Sequence, residues 1–477
     1  MAVVVLVLAA AAAALSGGRQ GGPAELAVDT RAPGRAVPAP FLGLSMEWTS
    51  VAPYGGPARP AIVALLRRLE AAASAPLPLR IGGASGEESR WNPSHRGPRP
   101  PGVRHDIDPA TLAALAGLAR GLDAPVTMGL NLQDGDDRNA LALARAAQRR
   151  LGGRLEGLEI GNEPDLYTAA RTFGPPAVRR LRKRVRYTPA DYVRDAGRYL
   201  DTLAAGLPAR SRPRLVIGGF AGSPAWPPTL PLLITRHPGT VGAIAAHRYG
   251  LSGCALGGDA ASSRAKLLTT EASRDRMAGL GPLIAIAHAH RLRLWVAELN
   301  SAPCGGAPGA SDSFAAALWL TDALFALVRA GADRAAVQTF DGAVYAPFAR
   351  RGTGAEARPP FFGMLAFARA APRGTRLVPV RIAGGAGRVR AWATAARDGT
   401  VRIALIAGVN ARSVRVRIAT GPGRPCATVR VTSAPALAAR TGIADRAPRT
   451  VCPRGGAVPV EVPGPSLSVV TLPARPG

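Results

Sequence analysis

The stretch "LEIGNEPDLY", residues 158–167, gathers three carboxylates, Glu159, Glu163 and Asp165, around the end of a short apolar segment. Its first residues are typical of a β-strand buried on both sides, and the Gly-Asn and Pro that follow are typical of a turn. A carboxylate left unpaired at the end of a buried strand costs free energy. The stretch is therefore either a solvated strand end or a position for a general acid.

The segments on either side indicate the fold to which this strand belongs. We predict eight strands, at 41–48, 77–85, 125–132, 155–162, 214–220, 241–249, 292–299 and 335–341. Segments rich in Ala, Leu and Arg lie between them and favour helices, among them 60–73, 109–121, 137–151, 189–205 and 313–330. Continuous apolar strands separated by helices indicate parallel strands buried on both faces. Eight such repeats favour a closed (β/α)8 barrel over an open sheet.

The pattern changes after about residue 360, where short strands alternate apolar and polar residues between Gly/Pro turns, as in "TVRIALIAGV" and "LSVVTLP". The sequence therefore predicts an α/β protein, a (β/α)8 TIM barrel with a C-terminal antiparallel β-sandwich. We place the catalytic barrel at 41–358 and the sandwich at 359–477. Residues 23–40 supply an N-terminal strand that joins the sandwich. A chain of 477 residues is long enough for both domains.

The chain is strongly basic, with 60 basic against 31 acidic residues and a formal net charge of +29. Nearly all the basic residues are arginines spread evenly through Ala-, Gly- and Pro-rich sequence, which is typical of a compositional bias. The alternative is a preference for polyanions, since net charge raises the local concentration of acidic ligands. The run "RRLRKRVR" at 179–186 is either a patch for such ligands or a solvated face. We expect no nucleic-acid partner.

The amino-terminal segment indicates where the protein is located. Residues 2–15 form an apolar run that suits the core of a secretory signal, since a membrane span needs about 20 residues. We therefore assign 1–22 as a signal-like segment, expect a secreted or extracytoplasmic protein, and expect no stable membrane insertion after signal removal. The four cysteines are even in number and none lies in a CxxC motif, which in an exported chain favours two disulfides.

The strand order suggests how these cysteines pair. Cys254 follows the sixth barrel strand and Cys304 follows the seventh, so their loops should lie side by side at the barrel mouth. Cys426 and Cys452 both fall in the sandwich. We predict the pairs Cys254–Cys304 and Cys426–Cys452.

Polar residues recur at the carboxyl ends of the predicted strands, where barrel enzymes hold their active sites. They are Glu47, Glu87, Glu88, Asn131, Asn162, Glu163, His247, Tyr249, Glu298, Asn300 and Asp341. Several also have structural interpretations: Glu87 and Glu88 suit a helix cap, His247 suits a satisfied core histidine, and Asp341 suits a turn.

Glu163 and Glu298 differ from the others, because each ends an apolar strand on which an unpaired carboxylate would be costly. Two carboxylates facing one pocket are the minimum apparatus for cleaving a glycosidic bond, one as acid and the other as nucleophile or base. The six histidines show no metal-ligand spacing, so we expect no metal and no cofactor.

Five motifs in order resemble glycoside hydrolase family 79, the heparanase and β-glucuronidase family of the retaining (β/α)8-barrel clan. They are "LRIGGASGE", "LEIGNEPDLY", "AAHRY", "ELNSAPCGGAPGASDSFAAALWLTDAL" and "FDGAVYAPF". The stretch 298–324 is the most specific, because the family has a glutamate, a short Ser/Gly loop and then Ser-Asp before a helix. The resemblance covers residues 40–475.

The resemblance implies roles for individual residues. Glu163 would be the general acid/base and Glu298 the nucleophile. Asn162 would hydrogen-bond the sugar 2-hydroxyl, and Tyr249 would hold the carboxylate of Glu298. Tyr345, with the backbone amides around Ala343 and Val344, would receive the carboxylate of a uronic acid. Glu47 and Glu87 would bind hydroxyls deeper in the pocket.

Three hypotheses follow. The first is an exo-acting, retaining β-glucuronidase that uses a two-glutamate double displacement. The second is an endo-acting, heparanase-like hydrolase of an acidic polysaccharide. The third is a non-catalytic carbohydrate- or polyanion-binding protein of the same fold, which the loss of one glutamate would have favoured, although both are present. The expected partner is a carbohydrate substrate, a glycoside or polysaccharide that contains uronic acid.

Overall fold

The computed structural model describes residues 23–167, 187–254, 259–384, 389–408, 413–421 and 423–475. The signal-like segment 1–22 and the arginine-rich run 179–186 therefore lie outside the described residues.

Eight parallel strands close into a barrel, which confirms the predicted fold and all eight predicted strand positions. With strands numbered along the whole chain, the barrel strands are β2 (Leu42–Glu47), β3 (Leu79–Gly82), β6 (Val126–Leu130), β7 (Leu155–Ile160), β8 (Arg214–Phe220), β9 (Val241–Tyr249), β10 (Arg293–Asn300) and β11 (Arg334–Thr339). Their order around the barrel is their order along the chain, and β11 pairs with β2 to close it. Apart from the first residues of β8 and β10, the strands are almost entirely buried, as parallel strands covered by helices must be.

Helices cover the outside of the barrel. The longer ones span Arg59–Ala73, Pro109–Gly121, Asp137–Leu151, Pro189–Gly206, Ala260–Leu267, Gly281–Ala289, Phe314–Ala330 and Pro359–Ala370, and shorter ones span Val51–Gly55, Leu230–Arg236 and Arg276–Ala278. Their starts follow local chemistry: Asp108 accepts a hydrogen bond from the amide of Thr111, and Thr188 forms a capping box with Asp191. Two small sheets, β4 (Ser89–Trp91) with β5 (His105–Ile107) and β12 (Phe348–Arg351) with β13 (Gly354–Ala357), lie outside the barrel.

Two further sheets form the second domain. One contains β1 (Ala24–Val28), β15 (Val380–Ala383), β18 (Ser413–Ala419) and β22 (Ala457–Pro463). The other contains β14 (Thr375–Val378), β16 (Val389–Ala396), β17 (Val401–Ala407), β19 (Ala427–Ser433), β20 (Ala444–Asp445), β21 (Arg449–Val451) and β23 (Ser466–Leu472). The amino-terminal strand β1 lies between β15 and β18, parallel to β18.

The second domain packs against the helix Phe314–Ala330, which follows the loop after β10. The indole of Trp392 stacks on Phe325 at 5.5 Å between ring centroids. The first two amides of this helix, those of Phe314 and Ala315, donate to the carbonyls of Ala439 and Leu437 from the sandwich. Because the first amides of a helix have no partner within it, these carbonyls act as its cap and fix the two domains together.

The two disulfides are Cys254–Cys304 and Cys426–Cys452, the two pairs that the sequence predicts. The first joins the loops after β9 and β10 at the barrel mouth, and the second lies in the sandwich. Within the described residues, no helix has the length and apolarity needed to span a bilayer.

Candidate active site

A pocket of about 660 Å³ opens at the carboxyl ends of the barrel strands. Its volume falls in the range usual for small-molecule sites. Of the residues predicted from the sequence, it brings together Glu47, Glu88, Asn162, Glu163, Tyr249, Glu298 and Tyr345. The disulfide Cys254–Cys304 forms part of its wall.

Glu163 stands just beyond the end of β7 in an unusual backbone conformation. Its φ is 49° and its ψ is 50°, a left-handed conformation that a glutamate rarely adopts. The amide of Glu163 donates to the carbonyl of Gly219 in the loop after β8, which holds the residue in place. Strain of this kind concentrates at functional sites, where the surrounding structure imposes it. Here it directs the carboxylate of Glu163 into the pocket.

Glu298 lies on β10, and its side chain is almost completely buried, with 6% exposed. The hydroxyl of Tyr249 donates to Oε2 at 2.7 Å, and Nη1 of Arg80 donates to Oε1 at 2.8 Å. These two donors come from β9 and β3, so the orientation of Glu298 is fixed from two sides of the barrel. Charge-assisted hydrogen bonds of this length are among the strong ones in proteins.

His247 lies between the two glutamates. Its Nδ1–H donates to Oε1 of Glu163 at 2.9 Å and lies 3.7 Å from Oε2 of Glu298. A carboxylate oxygen of Glu163 and one of Glu298 lie within 4.8 Å of each other. His247 is therefore a polar member of this site and not an isolated core histidine.

The two glutamates have pKa shifts of opposite sign. Burial, together with the charge of Glu298, raises the pKa of Glu163, although His247 opposes this. Burial also acts against ionisation of Glu298, but His247, Arg80 and the Tyr249 hydroxyl outweigh it and lower the pKa of Glu298. The arrangement therefore makes Glu163 the carboxyl that holds its proton to higher pH and Glu298 the one that ionises more readily.

Arg80 and Glu159 form the floor beneath the glutamates. Nε of Arg80 donates to Oε2 of Glu159 at 2.7 Å, and Nη2 donates to Oδ1 of Asn162 at 2.9 Å. Burial opposes charge on Glu159, but Arg80 and His247 outweigh it and lower its pKa to about 2. Burial likewise opposes charge on His247, but the surrounding carboxylates outweigh it and raise its pKa to about 10. Both residues therefore stay charged around neutral pH.

Arg80 orients the side chain of Asn162, and the backbone amide of Asn162 donates to Oε1 of Glu87. Glu87 itself does not line the pocket. Its Oε2 accepts from the amides of Leu132 and Gln133, so the carboxylate holds together the loops after β6 and β7. The expectation that Glu87 binds a sugar hydroxyl is therefore wrong, because its oxygens are occupied by backbone donors. The helix-cap interpretation of Glu87 is wrong for the same reason.

Glu47 lines the pocket at the end of β2. Its Oε2 accepts from the amide and the hydroxyl of Ser85, and its Oε1 accepts from Nε2 of Gln338 at 3.1 Å. Burial and the charge of Glu298 raise the pKa of Glu47 to about 7. The backbone amide of Ala84 also donates to Oε1, so Glu47 lines the pocket with its carboxyl held by three neighbours.

Tyr345 lines the pocket, but the amides beside it are not free. The amides of Val344 and Tyr345 donate to the carbonyl of Gly305 at 2.8 and 3.3 Å, and the amide of Ala343 donates to that of Phe340. The expectation that these amides receive a uronate carboxylate is therefore wrong. Burial, with Glu298 and Glu47 nearby, raises the pKa of Tyr345 well above 10, so its hydroxyl remains a donor.

Other polar strand ends serve the scaffold. The side-chain Nδ2 of Asn131 donates to the backbone carbonyls of Glu87 and Ser89, and Nδ2 of Asn300 donates to the carbonyl of Gln338. Asp165 accepts from the amides of residues 221–223. Asp341 pairs with Arg350 on the surface.

Five residues of the site were not predicted from the sequence: Arg80, which contacts Glu159 and Glu298, and Ser85, Gln338, Arg248 and Arg276, which line the pocket. Arg80 carried a usable signal: a charge in the middle of the apolar strand "LRIGG" must have a buried partner. The other four lie among residue types that recur throughout the chain and carried no such signal.

Comparison with known proteins identifies structures of the same fold. No family model and no curated protein matches the chain. A 4-O-α-L-rhamnosyl-β-D-glucuronidase from Fusarium oxysporum 12S is similar over 94% of this chain and 100% of its own, with a TM-score of 0.74 and 18% identity. A family 51 arabinofuranosidase from Xanthomonas axonopodis pv. citri is similar over 94% and 99%, with a TM-score of 0.69 and 17% identity. A family 30 xylanase C catalytic domain from Talaromyces cellulolyticus is similar over 94% and 99%, with a TM-score of 0.58 and 13% identity. The chain thus has the (β/α)8 fold found in these glycoside hydrolases.

Proposed function

We propose that the protein is a retaining glycoside hydrolase in which Glu163 is the acid/base and Glu298 the nucleophile. The observation that carries this proposal is the pair itself: two carboxylates of opposite pKa shift, within 4.8 Å of each other, in the main pocket of the barrel. Retaining enzymes hold their carboxyl groups about 5–5.5 Å apart, whereas inverting enzymes leave about 6.5–9.5 Å for a water molecule. The short separation supports retention.

The reaction then has two steps. Ionised Glu298 attacks the anomeric carbon while Glu163 gives its proton to the leaving oxygen, and a glycosyl ester forms on Glu298. The ester has no charge, so Glu298 no longer helps burial to raise the pKa of Glu163. Glu163 therefore stays ionised after giving up its proton, removes a proton from water, and the water displaces the sugar from Glu298.

The remaining groups assist these steps. Tyr249 and Arg80 keep the carboxylate of Glu298 in its attacking orientation. Because Arg80 donates to Oδ1 of Asn162, the side-chain Nδ2 of Asn162 is the group that would donate to the sugar 2-hydroxyl. A donor already oriented in this way needs no reorganisation when charge develops in the transition state.

We further propose that the glycone is a β-glucuronide removed in exo fashion, as in family 79. The motifs in 79–87, 158–167 and 298–324 support this, and the similar Fusarium structure is a glucuronidase by name. Since the amides of 343–345 are occupied, we place the carboxylate between the Tyr345 hydroxyl and the loop at Cys304 and Gly305. Both loop residues line the pocket, and their amides have no hydrogen-bond partner among the described residues.

A panel of aryl β-glucuronide, β-glucoside, β-xyloside and α-arabinofuranoside tests the glycone. A site that hydrogen-bonds a substrate group rejects analogues that lack it by up to about 10⁴-fold, so we expect the glucuronide to be strongly preferred. Tyr345→Phe should narrow that preference while affecting the glucuronide methyl ester less. Equal rates on glucuronide and glucoside would reject the uronate assignment and leave the two-glutamate mechanism intact.

We also propose that the protein is secreted or extracytoplasmic. The two disulfides support this location, because such bonds persist in oxidising compartments. Fractionation of the producing cells, with detection of the protein outside the cytoplasm, tests the proposal.

A further inference from the structure

Two arginines line the pocket beside the glutamates, and neither takes part in the mechanism described above. Arg248 lies on β9 between His247 and Tyr249, and Arg276 begins the short helix Arg276–Ala278. We refer to Arg248 and Arg276 as the arginine pair.

Within the described residues, Arg248 lacks the partners that a half-buried arginine usually has. In that part of the chain its buried Nε has no hydrogen-bond partner, and no carboxylate forms an ion pair with it. Burial and the positive charge of Arg276 lower the pKa of Arg248, and no described anion offsets them. Since a guanidinium group stays protonated in proteins, Arg248 still carries its charge at neutral pH.

Arg276 is only partly neutralised. Its Nη2 donates to Oγ of Ser252 at 2.6 Å, and its ion pair within the described residues is with Glu271, at 4.0 Å. The side chain of Glu271 is 76% exposed, and such surface pairs contribute little. Two like charges therefore face one cavity, an arrangement that an anion would stabilise.

The strand order places the arginine pair relative to the reaction. Glu47, Gln338 and Tyr345 come from β2, β11 and the loop after β11, on the side of the barrel next to Glu298. Arg248 lies on β9, between β8 and β10, and its Nη1 lies beside Gly222 in the loop after β8, where the carbonyl of Gly219 accepts from the backbone amide of Glu163. Arg276 follows β9 and hydrogen-bonds Ser252 in the loop after that strand. The acid must lie at the leaving oxygen, so the departing part of the substrate extends toward the side of Glu163.

We propose that Arg248 and Arg276 form a subsite for an anionic group, a carboxylate or a sulfate, on the aglycone. The inference rests on the proposed hydrolase function, because the position of the acid defines which side holds the aglycone. Guanidinium groups suit both anions, since their planar donors match carboxylate and sulfate oxygens. The substrate class would then be a glycoside whose leaving sugar is itself acidic.

The test compares substrates that differ in the aglycone alone. β-Glucuronide disaccharides would carry a carboxylate, a sulfate or a neutral hydroxymethyl group at one position of the leaving sugar. For the wild-type protein we expect kcat/KM at least about tenfold higher for an anionic aglycone than for the neutral one. The preferred anion identifies whether the group is a carboxylate or a sulfate. The preference should persist in salt, because the general charge of the protein is screened beyond about 8 Å.

Variants then assign the preference to the arginine pair. Arg248→Gln and Arg276→Gln should each lower the ratio of anionic to neutral kcat/KM, and Arg248→Lys should restore part of it. Arg236→Gln is the matched control, since exposed Arg236 ends the helix Leu230–Arg236 and removes the same charge without lining the pocket. It should leave the ratio unchanged.

The outcomes separate this inference from the proposed glycone. No preference in the wild-type protein, or an equal loss on anionic and neutral substrates in the glutamine variants, would overturn the subsite. If another glycoside is hydrolysed in place of the glucuronide, the same aglycone series is built on that glycone. The ratio of anionic to neutral kcat/KM on that series then tests the arginine pair, and only the glucuronide assignment is rejected. Should a variant not fold, the wild-type ratio still decides.

Discussion

Two buried ionic clusters among the described residues differ in how many of their carboxylate oxygens accept hydrogen bonds. At the interface between the domains, Asp322 is completely buried and accepts hydrogen bonds from Ser273, Arg274, Arg390 and Trp392. Burial opposes the charge of Asp322, but these donors outweigh it and lower its pKa. Both carboxylate oxygens of Asp322 accept hydrogen bonds, so this cluster is suited to holding the two domains together.

The cluster at the barrel mouth is incompletely satisfied. Within the described residues, Oε1 of Glu159 and Nε2 of His247 both lack hydrogen-bond partners, and they lie 3.9 Å apart. Arg80 and His247 supply two positive charges for three carboxylates, those of Glu159, Glu163 and Glu298. This excess of negative charge adds to the effect of burial, and both raise the pKa of Glu163.

The comparison shows what distinguishes a structural carboxylate from a reactive one. Both clusters contain buried carboxylates beside arginines, so burial and pairing alone do not identify an active site. The difference is a cavity beside the carboxylates and one carboxylate more than the cations can neutralise. Perturbed pKa values are a useful guide to function only when that geometry accompanies them.

The largest effect should follow from removing the nucleophile. Glu298→Ala should lower turnover by about 10⁴-fold or more, because the covalent step is lost. Azide should restore part of the rate and give a glycosyl azide of inverted configuration, since it fills the space of the missing carboxylate. Kinetics with NMR of the azide product measure this. A variant that keeps its activity would exclude Glu298 as the nucleophile.

Glu163→Ala should have an effect that depends on the leaving group. General acid catalysis contributes about 10²–10⁴-fold, and an activated aryl leaving group needs little of it. We expect a large loss on an alkyl or sugar aglycone and a much smaller one on a nitrophenyl aglycone. Equal losses on both substrates would remove Glu163 from the role of acid.

A substitution in the cluster around Asp322 should lower the stability of the protein and leave kcat unchanged. Asp322→Asn leaves Arg274 and Arg390 without their buried counter-charge, and breaking a buried pair costs about 3–5 kcal/mol. Asp123→Asn is the control, because the Asp123 side chain is 83% exposed in its pair with Arg154 and should contribute about 0–1 kcal/mol. Denaturant unfolding compares the two variants. Loss of kcat in folded Asp322→Asn protein would contradict the distinction between the clusters.

The pH profile should shift when the shared cation is removed. Activity needs Glu298 ionised, so it falls in acid below the lowered pKa of Glu298, and it needs Glu163 protonated, so it falls in base above the raised pKa. His247 is charged up to a pKa of about 10 and lowers both values. His247→Gln should therefore move both limbs of kcat/KM to higher pH. If both limbs of the kcat/KM profile stay at the same pH, the charge of His247 does not set the pKa values of the two glutamates.

Much of the fold was predictable because it depends on patterns within one segment. The eight apolar strands and the helices between them follow from local periodicity, and the structure has all of them. Glu163 and Glu298 stood out for the same reason, as charges that end apolar strands.

The remaining features of the site depend on contacts between distant segments. Glu87 binds amides at 132, 133 and 162, and the amides of 344 and 345 bind Gly305, so neither arrangement is visible in one stretch of sequence. Arg248 is one of many arginines, and its lack of a partner appears only once the barrel closes.

The central claim is that Glu298 forms a covalent intermediate and that Glu163 resolves it. The most direct measurement combines proton NMR of the first-formed anomer with mass spectrometry of protein treated with a 2-fluoro glycoside of the preferred sugar. We predict that the β-anomer is released first and that the label is on the peptide containing Glu298. First release of the α-anomer, with no labelled peptide, would contradict the account.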